Sequence, residues 1–168
     1  VIYNFRQNDL KNGGQGAPLT PIFHNLMVNK INKKYKIGFP INVLNIGGIS
    51  NITKTVNKED IKEESIYAYD IGPGNCLIDE WIRKKSNKKY DENGLIAKSG
   101  TTNNLILNQA LENFNIDTYV KSLDIKDFDI SFVKGLSLED GASTLTNYSA
   151  ILIAQGMEFT KEVNSSEK

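Results

Sequence analysis

The sequence predicts an α/β domain with a mixed sheet and helices over one face. Three observations carry that reading. An apolar run from Ile41 to Ile46 leads into Gly47-Gly48, and an alternating run from Ile49 to Thr55 leaves it, the pattern of strand, tight turn, strand. A third alternating run, Ile66 to Ile71, ends at a second glycine turn, Gly72-Pro73-Gly74. Stretches with apolar residues at helical spacing precede and follow this block, and strands flanked by helices pack as layers around one core.

Taken in order, Val1 to Phe5 reads as a short strand, and Arg6 to Asp9 as a polar segment with Asp9 its only carboxylate. A glycine loop follows, Gly13-Gly14-Gln15-Gly16-Ala17-Pro18. A helix is expected from Ala17 to Lys34, with Leu19, Phe23, Leu26 and Ile31 near helical spacing. Pro18 and Pro21 fit its first turn, where a missing N–H costs nothing. His24, the only histidine, is expected in a structural or surface role. The hairpin strands follow, antiparallel to one another, with Ile66 to Ile71 beside them and a charged turn, Lys58 to Glu64, between. A helix from Asn75 to Lys85 turns Leu77, Ile78, Trp81 and Ile82 inward. Tyr90 to Gly100 is a loop or short helix, and Thr102 to Phe114 is a helix packing Leu105, Ala110, Leu111 and Phe114. Asn115 to Lys134 is irregular. The last helix starts at Ser137, with Asp140 three residues on as an approximate capping box and Leu145, Tyr148, Leu152 and Phe159 on its apolar face. Trp81 and Tyr148 are read as core, and Cys76 as a small buried filler.

A chain of 168 residues can hold one ordinary domain with a real core. Its 20 basic residues equal its 20 acidic ones, so net charge gives no hint of a nucleic-acid or membrane partner. The basic clusters Lys30–Lys36 and Arg83–Lys89 fall where helices end, and cations suit the negative end of a helix dipole. One cysteine excludes an internal disulfide framework and fits a reducing cytoplasm. One histidine and one distant cysteine build no metal site. No apolar stretch reaches membrane-spanning length, and no signal-peptide pattern is present. The chain begins at Val1 inside a predicted strand and ends in a polar tail after a long helix. The expectation is a fragment of a longer protein.

Glycine pairs tolerate the positive φ of a two-residue hairpin turn, and without Cβ atoms they would let a phosphate reach the backbone N–H groups. An ordinary hairpin explains a lone Gly-Gly. Three glycine turns, each at the end of an apolar or extended run, read as loops meeting around one polyanionic ligand. A helix starting directly after Gly72-Pro73-Gly74 adds a ready anion site.

Phe5-Arg6-x-x-Asp9 followed by Gly13-Gly14-Gln15-Gly16-Ala17-Pro18-Leu19 resembles the anhydro-N-acetylmuramic acid kinase family. So do Leu44-Asn45-Ile46-Gly47-Gly48-Ile49-Ser50-Asn51, and Asp70-x-Gly72-Pro73-Gly74-Asn75 with Asp79 and Trp81. Tyr90-Asp91-x-x-Gly94, Lys121-Ser122 with Phe128, and Leu136 to Thr146 continue the match. The ordered set runs almost end to end, and the Gly13 to Pro18 loop is its most distinctive member. The resemblance implies the ribonuclease H-like fold of the acetate and sugar kinase, Hsp70 and actin superfamily, in which two lobes close over ATP. Residues 1–40 would end the first lobe, carrying the catalytic Asp and the glycine loop, and residues 41–168 would form the second, nucleotide-binding lobe. The family's first phosphate loop and its later adenosine-binding segment would lie outside Val1–Lys168. Two departures stand inside the match: Asn4, where the family usually has Asp, and Ile125, where it usually has Arg.

The reaction the resemblance implies uses ATP and water. It opens the 1,6-anhydro ring of anhydro-N-acetylmuramic acid and phosphorylates O6, giving N-acetylmuramic acid 6-phosphate in cytoplasmic cell-wall recycling. Asp9 would be the base that activates water. Gly14, Gln15 and Gly16 would border sugar and phosphate. Asn45, Gly47, Gly48 and Asn51 would line the β/γ-phosphate side. Asp70 would hold Mg²⁺ through water or cap its turn, and Gly72, Gly74 and Asn75 would contact nucleotide or only make the turn. The partners implied are a small sugar, ATP and Mg²⁺, with no nucleic acid and no membrane; a homodimer is left open. On spacing alone, Asp9 reads as a turn residue bonding its own backbone. Two other readings compete: a non-catalytic nucleotide-binding lobe, and a superfamily kinase for another small sugar or a carboxylate. The glycine loop beside Asp9 argues against the latter.

Overall fold

The computed structural model describes residues 4–14, 16, 19–55, 67–114 and 122–165, with side chains as far as Phe159. The expectations for Val1 to Tyr3, Gln15, Ala17, Pro18, Lys58 to Glu64, Ile66 and Lys121 fall outside these residues. The chain is α/β. It runs α1 (Phe5–Lys11), α2 (Pro21–Tyr35), β1 (Ile41–Ile46), β2 (Ile49–Thr55), β3 (Tyr67–Pro73), α3 (Cys76–Lys85), α4 (Leu95–Ser99), α5 (Asn104–Glu112) and α6 (Leu138–Ser165). Single 3-10 turns lie at Glu92–Gly94, Ile125–Asp127 and Ser131–Val133.

The described strands form one sheet in the order β1-β2-β3, antiparallel throughout. A link as short as Gly47-Gly48 can join only antiparallel neighbours, since parallel ones need a long crossover. Ile46 pairs with Ser50, so three residues rather than two lie inside the closing pair. Among the glycines, positive φ occurs at Gly13, Gly16, Gly38 and Gly94, not at Gly47 or Gly48. The expected positive-φ turn is therefore not how this hairpin closes. β3 also runs further than the alternation suggests, taking in Gly72 and Pro73, with a register shift opposite Ser50 and Asn51.

Helices cover both faces of the sheet, not one. Ile52 and Thr53 are neighbours on the central strand, so their side chains point to opposite faces. Ile52 packs with Ile71, Leu44, Tyr69 and Phe159 of α6. Thr53 Oγ1 lies 2.9 Å from Nδ1 of His24 on α2. This contact is the structural role expected of the only histidine, and it clamps α2 on the other face. The larger core lies beside the sheet, where Leu77, Trp81 and Ile82 of α3 meet Ala142, Leu145 and Leu152 of α6, with Leu107, Ile130 and Val133 closing it. Trp81 and Tyr148 are buried there as expected. The indole Nε1 of Trp81 donates to Leu138 O at 2.9 Å.

Three helices depart from the sequence reading. The segment read as a strand end and polar stretch is helical from Phe5 on, with Asn4 left-handed at its start (φ 68°); asparagine tolerates that region. α1 buries none of its residues. α2 begins at Pro21, after the proline-bearing stretch, and turns Asn25, Val28 and Asn29 inward. Phe23 and Leu26 are 60% and 56% exposed, the reverse of the expected packing. The polar face is the one that finds partners: His24 meets Thr53, and Asn29 Nδ2 donates to both Asn25 oxygens. In α5 the helix starts after Asn103, whose side chain accepts Ile106 N–H. That phase buries Leu107 and Ala110 and leaves Leu105 81% exposed, because residues two apart lie on opposite sides of a helix.

Candidate active site

Two of the three glycine turns meet. Gly74 N–H donates to Gly48 O at 2.9 Å, Asn75 N–H to Gly47 O at 2.8 Å and Cys76 N–H to Gly48 O at 3.2 Å. The hairpin tip and the start of α3 are thus knotted through backbone alone. Gly74 is needed for this approach, since a Cβ there would stand 2.3 Å from Gly47 O and 2.7 Å from Ser50 Oγ. Its carbonyl in turn accepts Ser149 Oγ at 3.0 Å. These bonds take the N–H groups of Gly74, Asn75 and Cys76, so the ready anion site expected there is already occupied by hairpin carbonyls.

The donors that remain are on the hairpin. Among the described residues, no acceptor takes the N–H groups of Gly47 and Gly48. Gly48 is exposed and Gly47 half-buried. Asn45 and Asn51 stand directly opposite one another across the strands that flank them, and the Asn75 side chain is exposed beside the knot. Two backbone N–H groups on residues that carry no side chain of their own, with asparagines nearby, suit an anionic oxygen. Ser50 is fully buried with a hydroxyl that has no partner among the described residues. The sequence reading passed over it, although it stands inside the same stretch.

Asp70 and Gly72 face inward. Asp70 is 8% exposed, and its Oδ2 accepts Leu123 N–H at 2.8 Å. Burial pushes its carboxyl pKa up from 3.8, against the smaller pull of that hydrogen bond. It anchors the segment that carries Ile125 over the hairpin, where the Ile125 methyl lies 3.4 Å from the position a Gly48 Cβ would take. Gly72 is buried and abuts Leu152 and Phe114. Cys76 is buried, and burial raises its thiol pKa, which fits an inert filler rather than a nucleophile. Among the described residues no three acidic, histidine or cysteine side chains gather as a metal-binding group.

The third glycine turn is built around Asp9. Asp9 Oδ2 accepts Gly16 N–H at 2.8 Å. Its main-chain carbonyl accepts Asn12 N–H at 3.0 Å and Gly14 N–H at 2.9 Å. Asp9 is half-buried at an open pocket of about 630 Å³ lined by Phe5, Asn8, Asn12, Leu19 and Thr20. No hydrogen bond among the described residues joins this loop to the other two turns. Asp91, part of a motif without an assigned role, caps α4: its two oxygens accept Ile96 and Ala97 N–H, each at 2.8 Å.

The sequence model of a family described as anhydro-N-acetylmuramic acid kinase matches residues 1–157. A protein of that name from Pelagibacter ubique is 55% identical over 99% of this chain and 43% of its own length. Proteins of the same name from Zymomonas mobilis and Methylobacterium nodulans are 39% and 36% identical, each over 96% of this chain and 42% and 41% of their own lengths. The chain thus spans about two fifths of the length of the curated relatives it matches. No helix among the described residues is long and apolar enough to cross a membrane.

Proposed function

Because the chain belongs to the anhydro-N-acetylmuramic acid kinase family, we propose that its gene product opens the 1,6-anhydro ring of anhydro-N-acetylmuramic acid with water. It phosphorylates O6 from ATP, yielding N-acetylmuramic acid 6-phosphate in cytoplasmic recycling of cell-wall sugar. The observation that carries the reading beyond the name is the setting of Asp9. One carboxylate oxygen is fixed by Gly16 N–H, and the group borders a pocket of about 630 Å³, a size that suits a small ligand.

The chemistry is a hydrolysis coupled to a phosphoryl transfer. The Asp9 carboxylate takes a proton from water as the water oxygen attacks C1 of the sugar, on the face away from the anhydro oxygen. The C1–O6 bond breaks, O6 attacks the γ-phosphorus, and ADP leaves. Attack opposite the leaving oxygen resembles one half of an inverting glycosidase. A placed base contributes on the order of 10²–10⁴-fold. The open N–H groups of Gly47 and Gly48, with Asn45, Asn51 and Asn75, would receive the phosphate oxygens, where oriented donors stabilise developing charge. Gly74 would serve by holding the hairpin against α3. These open donors support ATP at the hairpin. For Mg²⁺, Asp70 is buried with Oδ2 on Leu123 N–H, and among the described residues no three acidic, histidine or cysteine side chains gather.

The test is Asp9→Asn in the full-length gene product. Sugar-dependent ADP release is expected to vanish while ATP binding, followed by calorimetry, stays nearly unchanged. Undiminished turnover would remove Asp9 from the mechanism. ATP binding without any sugar-dependent turnover in the unmutated protein would favour a non-catalytic nucleotide-binding lobe.

A further inference from the structure

We infer that Gly14 and Gly16 are positioning residues for Asp9 rather than the wall of a ligand cradle; the inference rests on Asp9 being the base. A Cβ built on Gly14 lands 2.1 Å from Asp9 Oδ2, 2.4 Å from its Cγ and 2.5 Å from Oδ1. The whole carboxylate therefore lies against the bare Cα of Gly14, in space that any side chain would fill. Gly13 and Gly16 take positive φ, 87° and 74°, and the chain folds back far enough for Gly16 N–H to reach Oδ2 at 2.8 Å. Gly16 is itself buried, with Leu10 packed under it.

This local clamp matters because little else among the described residues orients Asp9. α1 buries none of its residues, so no core packing sets its rotation. The loop holds Asp9 at two points: the main-chain carbonyl takes the N–H groups of Asn12 and Gly14, and Oδ2 takes that of Gly16. Oδ1 has no hydrogen-bond partner among the described residues. One oxygen is locked, and the other is left as the base. A lone aspartate at a helix end would rotate freely about its side-chain bonds. The glycines remove that freedom before substrate arrives, and a base must be in place to act.

The experiment is Gly14→Ala in the full-length gene product, read by steady-state kinetics and thermal melts, beside Asp9→Gly and the double variant. In Gly14→Ala, kcat for sugar-dependent ADP release is expected to fall about 100-fold, the scale of a 1 Å misplacement. KM for ATP and for the sugar should move less than about twofold. The variant should also melt lower than the parent, and that loss should disappear when Gly14→Ala is added to Asp9→Gly, because the atoms its methyl meets are gone. A rise in sugar KM at unchanged kcat would overturn the inference in favour of a ligand wall, and unchanged kinetics would overturn it outright. If Gly14→Ala fails to fold, a folded double variant supports the contact and an unfolded one refutes it. If the unmutated protein shows no sugar-dependent turnover, the kinase reading fails. The melting cycle then still decides whether Gly14 acts on Asp9.

Discussion

Asp70 is buried with one oxygen on Leu123 N–H, and this has a consequence for stability. Desolvation raises its pKa above 3.8, and the hydrogen bond offsets only part of that. The folded chain therefore binds the proton more readily than the unfolded one. The stability this group contributes is fully present below the unfolded value and is lost as pH rises through the raised one. Asn in its place keeps an oxygen for Leu123 and carries no charge. Asp70→Asn is expected to melt higher than the parent at pH 7, with the gap closing as pH falls toward 3.8; melts across that range check it, and a gap that widened on acidification would reverse the sign. Gly74 gives the complementary case, where space rather than charge decides. Its Cβ would overlap a main-chain oxygen at 2.3 Å, and backbone yields less cheaply than a side-chain tip. Gly74→Ala should cost about 1–3 kcal/mol in urea unfolding.

At the scale of elements, α2 and α6 show two ways a helix meets the same sheet. α6 brings an apolar stripe, with Leu145 and Leu152 fully buried and Tyr69 donating its hydroxyl to Gly156 O at 2.7 Å. Its start shows half of the expected capping box: Asp140 N–H donates to Ser137 Oγ at 3.0 Å, while Asp140 Oδ1 accepts Thr101 N–H at 2.8 Å. Ser137→Ala should lower stability by about 1 kcal/mol. α2 brings mostly polar side chains, burying Asn25 and Asn29 beside Val28, and His24 bonds it to Thr53. Thr53 is 1% exposed, so His24→Ala would leave a buried hydroxyl without its partner. The expected cost is about 1–3 kcal/mol, again by denaturant unfolding; a loss under a few tenths would mean that another group serves Thr53.

Over the whole molecule, stability is uneven, because buried apolar surface is concentrated where α3 and α6 meet and where α6 crosses Ile52 and Ile71. Regions with few buried contacts open first. Among the described elements, amide exchange should therefore be slowest in β2, α3 and the first half of α6, and fastest in α1; equal protection of α1 and α3 would contradict this. The same unevenness tracks what was legible beforehand. β1 and β2 match their predicted bounds because alternation and the glycine stop are local signals, and α3 and α6 follow because an apolar stripe marks the buried side of a helix. Periodicity misled at α2 and Leu105, since it names the apolar side but not the side a neighbour will take. Asp9, Gly47 and Gly48 could be singled out from the sequence, but not their surroundings. By itself, then, the sequence determined the hairpin strands, α3 and α6, the order of the motifs and the family, because these depend on neighbours along the chain. Only the tertiary structure decided that the hairpin carbonyls occupy the first N–H groups of α3, leaving the hairpin's own amides open. Only it showed that Gly14 and Gly16 close on Asp9. Such hydrogen bonds join atoms whose meeting is set by the path of the backbone between them, and no local pattern of residue types records that path.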